Sequence, residues 1–298
     1  MQFIRDIYAA KRIAGKPVIS FEFFPPKTEE GERNLIEKHI PALAKAAPDF
    51  CSVTYGAGGG TRDKTLMIVD RIQREHKLTA LAHLTCVNHT REEVRTVLEK
   101  IRAMGCKNIL ALRGDPPGGG DFQKTPGGFE FASELVQFIR DHDVFSIGVA
   151  GFPEGHIANK IGKLDDWNRL KAKVDAGADF VLTQLFFDNA DYFEFREYLT
   201  DRLGIRAPLT PGIVPILSAG QITKFTQLCG AKIPAKLRKR LDELGDDDEA
   251  AVEFGIEYAT GQCKELLKAG VPGLHFYTLN KSHSTVEVLK NLGLVAGP

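Results

Sequence analysis

Short β-rich runs alternate with amphipathic helical patterns almost from end to end of this 298-residue chain. The runs are VISFEFF, FCSVTY, TALAHLTC, NILALRG, VFSIGVA, FVLTQLF, PLTPGIV and GLHFYT. Between most of them lie segments such as ERNLIEKHIPALAKA, REEVRTVLEKIRAMG and LKAKVDAGA, with apolar residues at helical spacing. Ending on the helix SHSTVEVLKNLG, the count is eight strand–helix units with no domain-sized break, which predicts a single α/β domain over residues 1–298, a (β/α)8 TIM barrel. A short amphipathic helix is expected before the first strand, within MQFIRDIYAAKRIAGK. The regularity fails once, over residues 219–269, where two or three helical stretches precede the eighth strand and predict a helical insertion. Its acidic run GDDDE reads as a solvated turn and helix start rather than a metal site, since Asp and Glu favour helix N-termini.

Alternation within the strands then assigns faces. In strand one Ile19, Phe21 and Phe23 share one face, suited to packing under helices. Val18, Ser20 and Glu22 share the other, which sends Glu22 inward near the barrel mouth. Ser52 and Thr54 lie on one face of strand two, and Leu81, His83 and Thr85 on one face of strand three. Strand four ends in Arg113, Gly114 and Asp115, strand six carries Gln184, and strand eight carries His275 and Tyr277. Polar side chains thus gather late in at least six strands, the end at which barrel active sites form. Each has a plainer reading: Glu22 as an ion-pair partner of Arg113, His83 as a hydrogen-bonded core histidine. A metal on His83, Glu22 and Asp115 lacks local ligand spacing and a second histidine, so no metal site is expected. The runner-up fold is a doubly wound sheet, supported by TYGAGGGTRD. Thr61 breaks that dinucleotide fingerprint, and the next strand ends in HLTC with no acidic residue.

Composition narrows the partners. Lys and Arg total 39 and Asp and Glu total 39, so no electrostatic pull toward nucleic acid or an anionic membrane is expected. Five cysteines without a CxxC pair argue against a disulfide frame or a zinc site and fit a reducing, cytoplasmic setting. No window approaches a membrane span, and the N-terminus lacks the apolar core of a secretory signal.

FEFFPPK, SVTYGAGGGTRD, HLTC, LRGD, VDAGADFVLTQLFFD, PGIVPI and HFYTLN occur in this order. Together they resemble the methylenetetrahydrofolate reductase family, in its bacterial single-domain form. The resemblance implies a barrel holding FAD at the strand C-terminal ends and NADH or NADPH as reductant. It implies ping-pong reduction of 5,10-methylenetetrahydrofolate to 5-methyltetrahydrofolate, in one-carbon metabolism and methionine supply, and a homo-oligomer. Glu22 would be the general acid that opens the folate ring at N10, kept protonated by apolar company such as Phe21, Phe23 and Phe24. Asp115 would disfavour an anionic reduced flavin and favour the iminium cation. Expected FAD contacts are Thr54, Tyr55, Ala57, His83, Arg113, Gly114, Asp115, Ala132, Phe152, His156, Asp166, Arg169 and Lys173, with Asp165 as an alternative to Asp166. Arg169 and Lys173, one helical turn apart, would present two cations to the diphosphate. Glu22, Asp115, Gln184, Tyr277 and Lys281 would contact substrate. Phe152 stands where the family often has tyrosine, Lys281 where it has arginine, Ala219 where an aromatic can stack, and Gly60 where serine is common. The alternative function is a flavin-free, pterin-binding barrel, a methyltransferase or lyase.

Overall fold

The computed structural model of the chain describes residues 1–56, 61–116, 120–142 and 144–295. Eight strands close into a barrel: β1 (Val18–Phe23), β2 (Phe50–Val53), β3 (Ala80–Thr85), β4 (Asn108–Leu112), β5 (Ser146–Gly151), β6 (Phe180–Leu185), β7 (Leu209–Ile213) and β8 (Gly273–Tyr277). Every adjacent pair is parallel, and β8 returns to pair with β1. Each run read from the sequence holds one of these strands, except that β5 extends one residue past VFSIGVA to Gly151. All-parallel closure requires a crossover after every strand, and helices supply them on the outside.

Two apolar layers follow from the strand alternation. Ile19, Phe21 and Phe23 join the larger layer between barrel and helices. Val18, Phe50, Leu81, Leu110, Phe180 and Leu182 fill the barrel interior. That interior layer also contains Ile4, Ile7 and Tyr8, from the helix Ile4–Ile13. The helix is thus a plug for the barrel floor. Its first amide donates to Asn108 Oδ1 (2.8 Å), the Arg5 amide donates to Ser146 Oγ (3.0 Å), and Tyr8 Oη lies 2.6 Å from Thr210 Oγ1. The floor is closed by protein, so ligands have the strand C-terminal end.

Three helices stand between β7 and β8: Ala219–Cys229, Ala235–Leu244 and Asp248–Lys268. The last begins where GDDDE was read as a helix start, with the Asp247 carboxylate accepting from the Ala250 amide. Elsewhere the helix ends use local chemistry of the same kind, as in the reciprocal Thr90–Glu93 capping box that opens Arg91–Ala103.

One interior position leaves no room for growth. A Cβ at Gly148 would lie 2.5 Å from the Phe180 ring and 2.9 Å from Leu110 Cδ1. Gly148→Ala is expected to destabilise the barrel by about 1–3 kcal/mol through overpacking. A lowered urea midpoint with unchanged slope is the result that checks it.

Candidate active site

A cavity of about 930 Å³ opens at the C-terminal ends of the strands, near the upper end of the range for small-molecule sites. Glu22 lies on its floor. The register sets its neighbours: Glu22 pairs with Ser52 of β2 and Tyr277 of β8, while Ser20 pairs with His275. Ser52 Oγ donates to Glu22 Oε2 (3.2 Å), and His275 Nε2 lies 3.3 Å from the same oxygen. The other ring nitrogen of His275 is 2.8 Å from Ser20 Oγ, which fixes the imidazole plane. His83 Nε2 is 3.4 Å from Glu22 Oε2 but is not aligned for a hydrogen bond.

These neighbours overturn one expectation. Phe21 and Phe23 point away, into the layer beneath the helices, and only Phe24 of that trio faces the cavity. Burial alone would raise the Glu22 carboxyl, but the His275 and His83 imidazoles outweigh it and hold the group at about 2. Glu22 is therefore a buried carboxylate shared between two imidazoles, not a neutral acid in an apolar pocket.

One side wall is rich in cations. It is built from the end of β4, the loop after β5 and the helix Lys163–Asp175. Arg113 stacks over the Phe122 ring at 5.0 Å. Lys173 Nζ donates to the Ala150 carbonyl (2.6 Å); burial lowers it to about 8, with Asp166 opposing and Arg113 assisting. His156 is also lowered, first by burial and then by the Arg113 charge. Asp166 faces the cavity and is raised by burial, whereas Asp165 turns outward to Arg169 Nε (2.7 Å) and Asn159 (2.9 Å). Asp166, not Asp165, is the one at the site. Arg169 lines the rim, with part of its charge already engaged by Asp165.

On the opposite side β6 and β7 shift register between Leu182 and Leu185. Such an irregularity re-aims side chains, and Gln184 lines the cavity there. Its Oε1 accepts from the Leu185 amide (2.9 Å). Tyr277 Oη donates to the Thr183 carbonyl (2.7 Å), so its hydroxyl is committed to the scaffold.

The structure brings nearly all the expected site residues to this one cavity: Glu22, Thr54, Tyr55, His83, Arg113, Gly114, Asp115, Ala132, Phe152, His156, Asp166, Arg169, Lys173, Gln184 and Tyr277. Ala57 and Gly60 lie outside the described residues. Lys281 stands apart and does not line the cavity. After β8 the chain turns through left-handed Leu279 and Asn280, and Asn280 is clamped to the Phe24 backbone by bonds of 2.9 and 2.7 Å. This carries Lys281 outward, exposed and toward His39. Sequence reading grouped Ser52 and His275 only as late-strand polar residues. Alternation puts Ser20 on the same face as Glu22, but pairing of β1 with β2 and with β8 is what makes Ser52 and His275 partners of its carboxylate. Among the described residues, no group of three or more His, Cys, Asp or Glu could hold a metal ion.

The arrangement defines an α/β-barrel protein with a ligand cavity at the strand C-terminal ends, a carboxylate–imidazole floor and a cationic wall suited to phosphate. The chain matches the methylenetetrahydrofolate reductase family over residues 6–293 and belongs to that family. It is 44% identical over 292 residues to methylenetetrahydrofolate reductase (NADH) 1 of Arabidopsis thaliana, covering 94% of this chain and 49% of that one. It therefore spans about half the length of such plant relatives. To 5,10-methylenetetrahydrofolate reductase of Escherichia coli (strain K12) it is 39% identical over 286 residues, covering 96% of this chain and 94% of the other. A solved structure of similar fold is an uncharacterized protein from Clostridium thermocellum that binds two copies of 5-methyl-5,6,7,8-tetrahydrofolic acid. The TM-score is 0.64 at 19% identity, with 97% of both chains covered, a likeness of fold.

The Glu22 carboxylate has a consequence for acid stability. Its folded-state value of about 2 lies below the ordinary 4.5, so its contribution is complete above pH 4.5 and is lost as the pH falls toward 2. Glu22→Gln is expected to flatten the loss of stability between about pH 5 and about pH 3, read from urea midpoints across that window.

Proposed function

We propose that this protein reduces 5,10-methylenetetrahydrofolate to 5-methyltetrahydrofolate with NADH or NADPH as reductant and FAD as cofactor. The observation that carries the reading is the placement of a buried, hydrogen-bonded carboxylate and a cationic wall in one large cavity of a chain of this family. A nicotinamide nucleotide and a folate acting in turn at one site, with ping-pong kinetics, fit that single cavity. Family membership favours this reading over a flavin-free methyltransferase or lyase. A homo-oligomer and a cytoplasmic role in one-carbon metabolism and methionine supply accord with it.

The donor set fits FAD. Arg113, Lys173 and Arg169 give one wall the charge a diphosphate needs, and His156 adds an uncharged hydrogen-bonding ring. The buried Nε2 of His83, which lines the cavity, has no hydrogen-bond partner among the described residues, and a polar atom left so in a folded protein awaits one. Bound there, FAD would supply hydride transfer between nicotinamide and folate.

The protein's own part is proton supply, charge and orientation. Opening the folate imidazolidine ring needs a proton at N10. Glu22 delivers it, and His275, hydrogen-bonded to the same carboxylate oxygen, relays its replacement. A ligand over Glu22 excludes water and adds to the desolvation that already opposes the charged form, which moves the proton toward the carboxyl. Asp115, exposed at the end of β4, places a negative charge at the mouth, favouring the iminium cation that accepts hydride. Gln184 and Tyr277 orient the substrate from the other side.

Glu22→Gln separates the half-reactions. NADH is expected still to bleach the yellow bound cofactor at near the parent rate. Return of colour on adding methylenetetrahydrofolate is expected to slow by about 100-fold or more, the contribution of a general acid. Equal rates in both stages rule out the assignment of Glu22, and a protein that takes up no FAD rules out the flavin reading. Lys173 gives a second test. It is charged below about 8 and neutral above it, so FAD affinity is expected to be full below that value and to fall as pH rises through it. In Lys173→Met the affinity should be low throughout and lose this pH dependence, measured by flavin fluorescence.

A further inference from the structure

The helix Ala219–Cys229 is held to the molecule differently from the rest of the barrel. It lines the cavity with Phe225, Leu228 and Cys229, yet of its residues only Ile222 and Thr226 are buried, and Leu228 is 70% exposed. By contrast, the helix Arg91–Ala103 buries Val94, Val97, Leu98 and Ile101. Weak apolar anchorage leaves the position of such a helix to specific ties.

One tie stands at its C-terminal end. Glu154, in the loop after β5, accepts from the Lys232 amide with both carboxylate oxygens (3.2 and 3.1 Å), and Lys232 Nζ lies 3.8 Å away. The Glu154 side chain is 7% exposed, although it belongs to a surface loop and the cation paired with it, Lys232, is 77% exposed. A carboxylate is rarely buried this far without a structural return. Beside it Gly230, at φ +79°, closes against Ile157: a Cβ there would come within 3.0 Å of the Ile157 Cβ. The seam encloses a void of about 10 Å³, room for about one water, bordered by Glu154, Cys229, Gly230 and Gln184. Gln184 faces both this seam and the main cavity.

We propose that Glu154 is a positioning residue: by holding the Lys232 amide it docks the end of the helix Ala219–Cys229 against the loop after β5, and so sets the cavity wall formed by Phe225, Leu228 and Gln184. Through that wall it governs affinity for the folate substrate. The identity of the substrate rests on the function proposed above; the docking does not.

The test uses the full chain. Hydrogen–deuterium exchange over residues 219–233, on protein without added nucleotide or folate, reads the docking alone. In Glu154→Ala it is expected to quicken by about tenfold, the loss of a charge-assisted hydrogen bond, with the strands unchanged. Glu154→Gln keeps an oxygen acceptor and should restore most of the protection. Gly230→Ala attacks the seam from the other side and should reproduce the effect of Glu154→Ala if that variant does not fold. Steady-state kinetics of the same variants should show KM for methylenetetrahydrofolate raised about five- to tenfold with kcat within about twofold. Unchanged exchange over 219–233 overturns the docking, and faster exchange with unchanged KM overturns its role in the wall. A parent protein that does not reduce methylenetetrahydrofolate refutes the function proposed above while the exchange result still decides the docking.

Discussion

The chemistry at the mouth of this barrel depends on the pairing of its first strand with its last. That pairing is what sets His275 beside Glu22, residues 253 apart in the chain. Three further bonds lock the seam just above it. Thr278 Oγ1 donates to the Glu22 carbonyl (2.7 Å), and Asn280 both donates to and accepts from the Phe24 backbone. Removing any strand from the circle opens this joint, because a parallel barrel has no local hairpin to hold two neighbours together.

The seam also decides how a carboxylate is kept at the bottom of an apolar fold. Burial penalises the charge of Glu22, and two imidazoles and a serine hydroxyl repay it, leaving the group ionised. A carboxylate held that way is both a structural partner and a reservoir position for a proton. The same contacts that leave it without a proton near neutral pH connect it to an imidazole that can relay one. Lys173 shows the converse case: its nearest hydrogen-bond partner is a neutral carbonyl, so desolvation prevails and its charge is held less firmly.

Much of this was legible in the linear pattern. Period-two alternation placed Glu22, Ser52 and His83 inward and Phe21 and Phe23 outward, because a one-residue error would have put phenylalanines in the barrel and charges under helices. Motif resemblance collected most of the polar residues of the cavity but not the apolar wall of Phe131, Phe225 and Leu228. What alternation does not encode is identity across the seam. The phenylalanines flanking Glu22 in sequence suggested an apolar, raised carboxyl, whereas its spatial neighbours come from β2, β3 and β8. The place of Lys281 was hidden for a related reason. Its position relative to the cavity depends on two left-handed residues, Leu279 and Asn280, and neither is a glycine that would have signalled the turn. The asparagine clamp that stabilises them is visible only in three dimensions.

The plug at the barrel floor bears on how the chain is made. Ile4, Ile7 and Tyr8 pack among residues from β1 to β6, and Tyr8 meets Thr210, which follows it by 202 residues. At about 5–20 residues per second, the first helix waits roughly 10–40 s after leaving the ribosome before its last partner exists. Throughout that interval its apolar stripe has no finished surface to cover. Vectorial synthesis therefore delivers the seal first and the vessel afterwards, and the final docking of the amino-terminal helix marks completion of the barrel rather than its beginning.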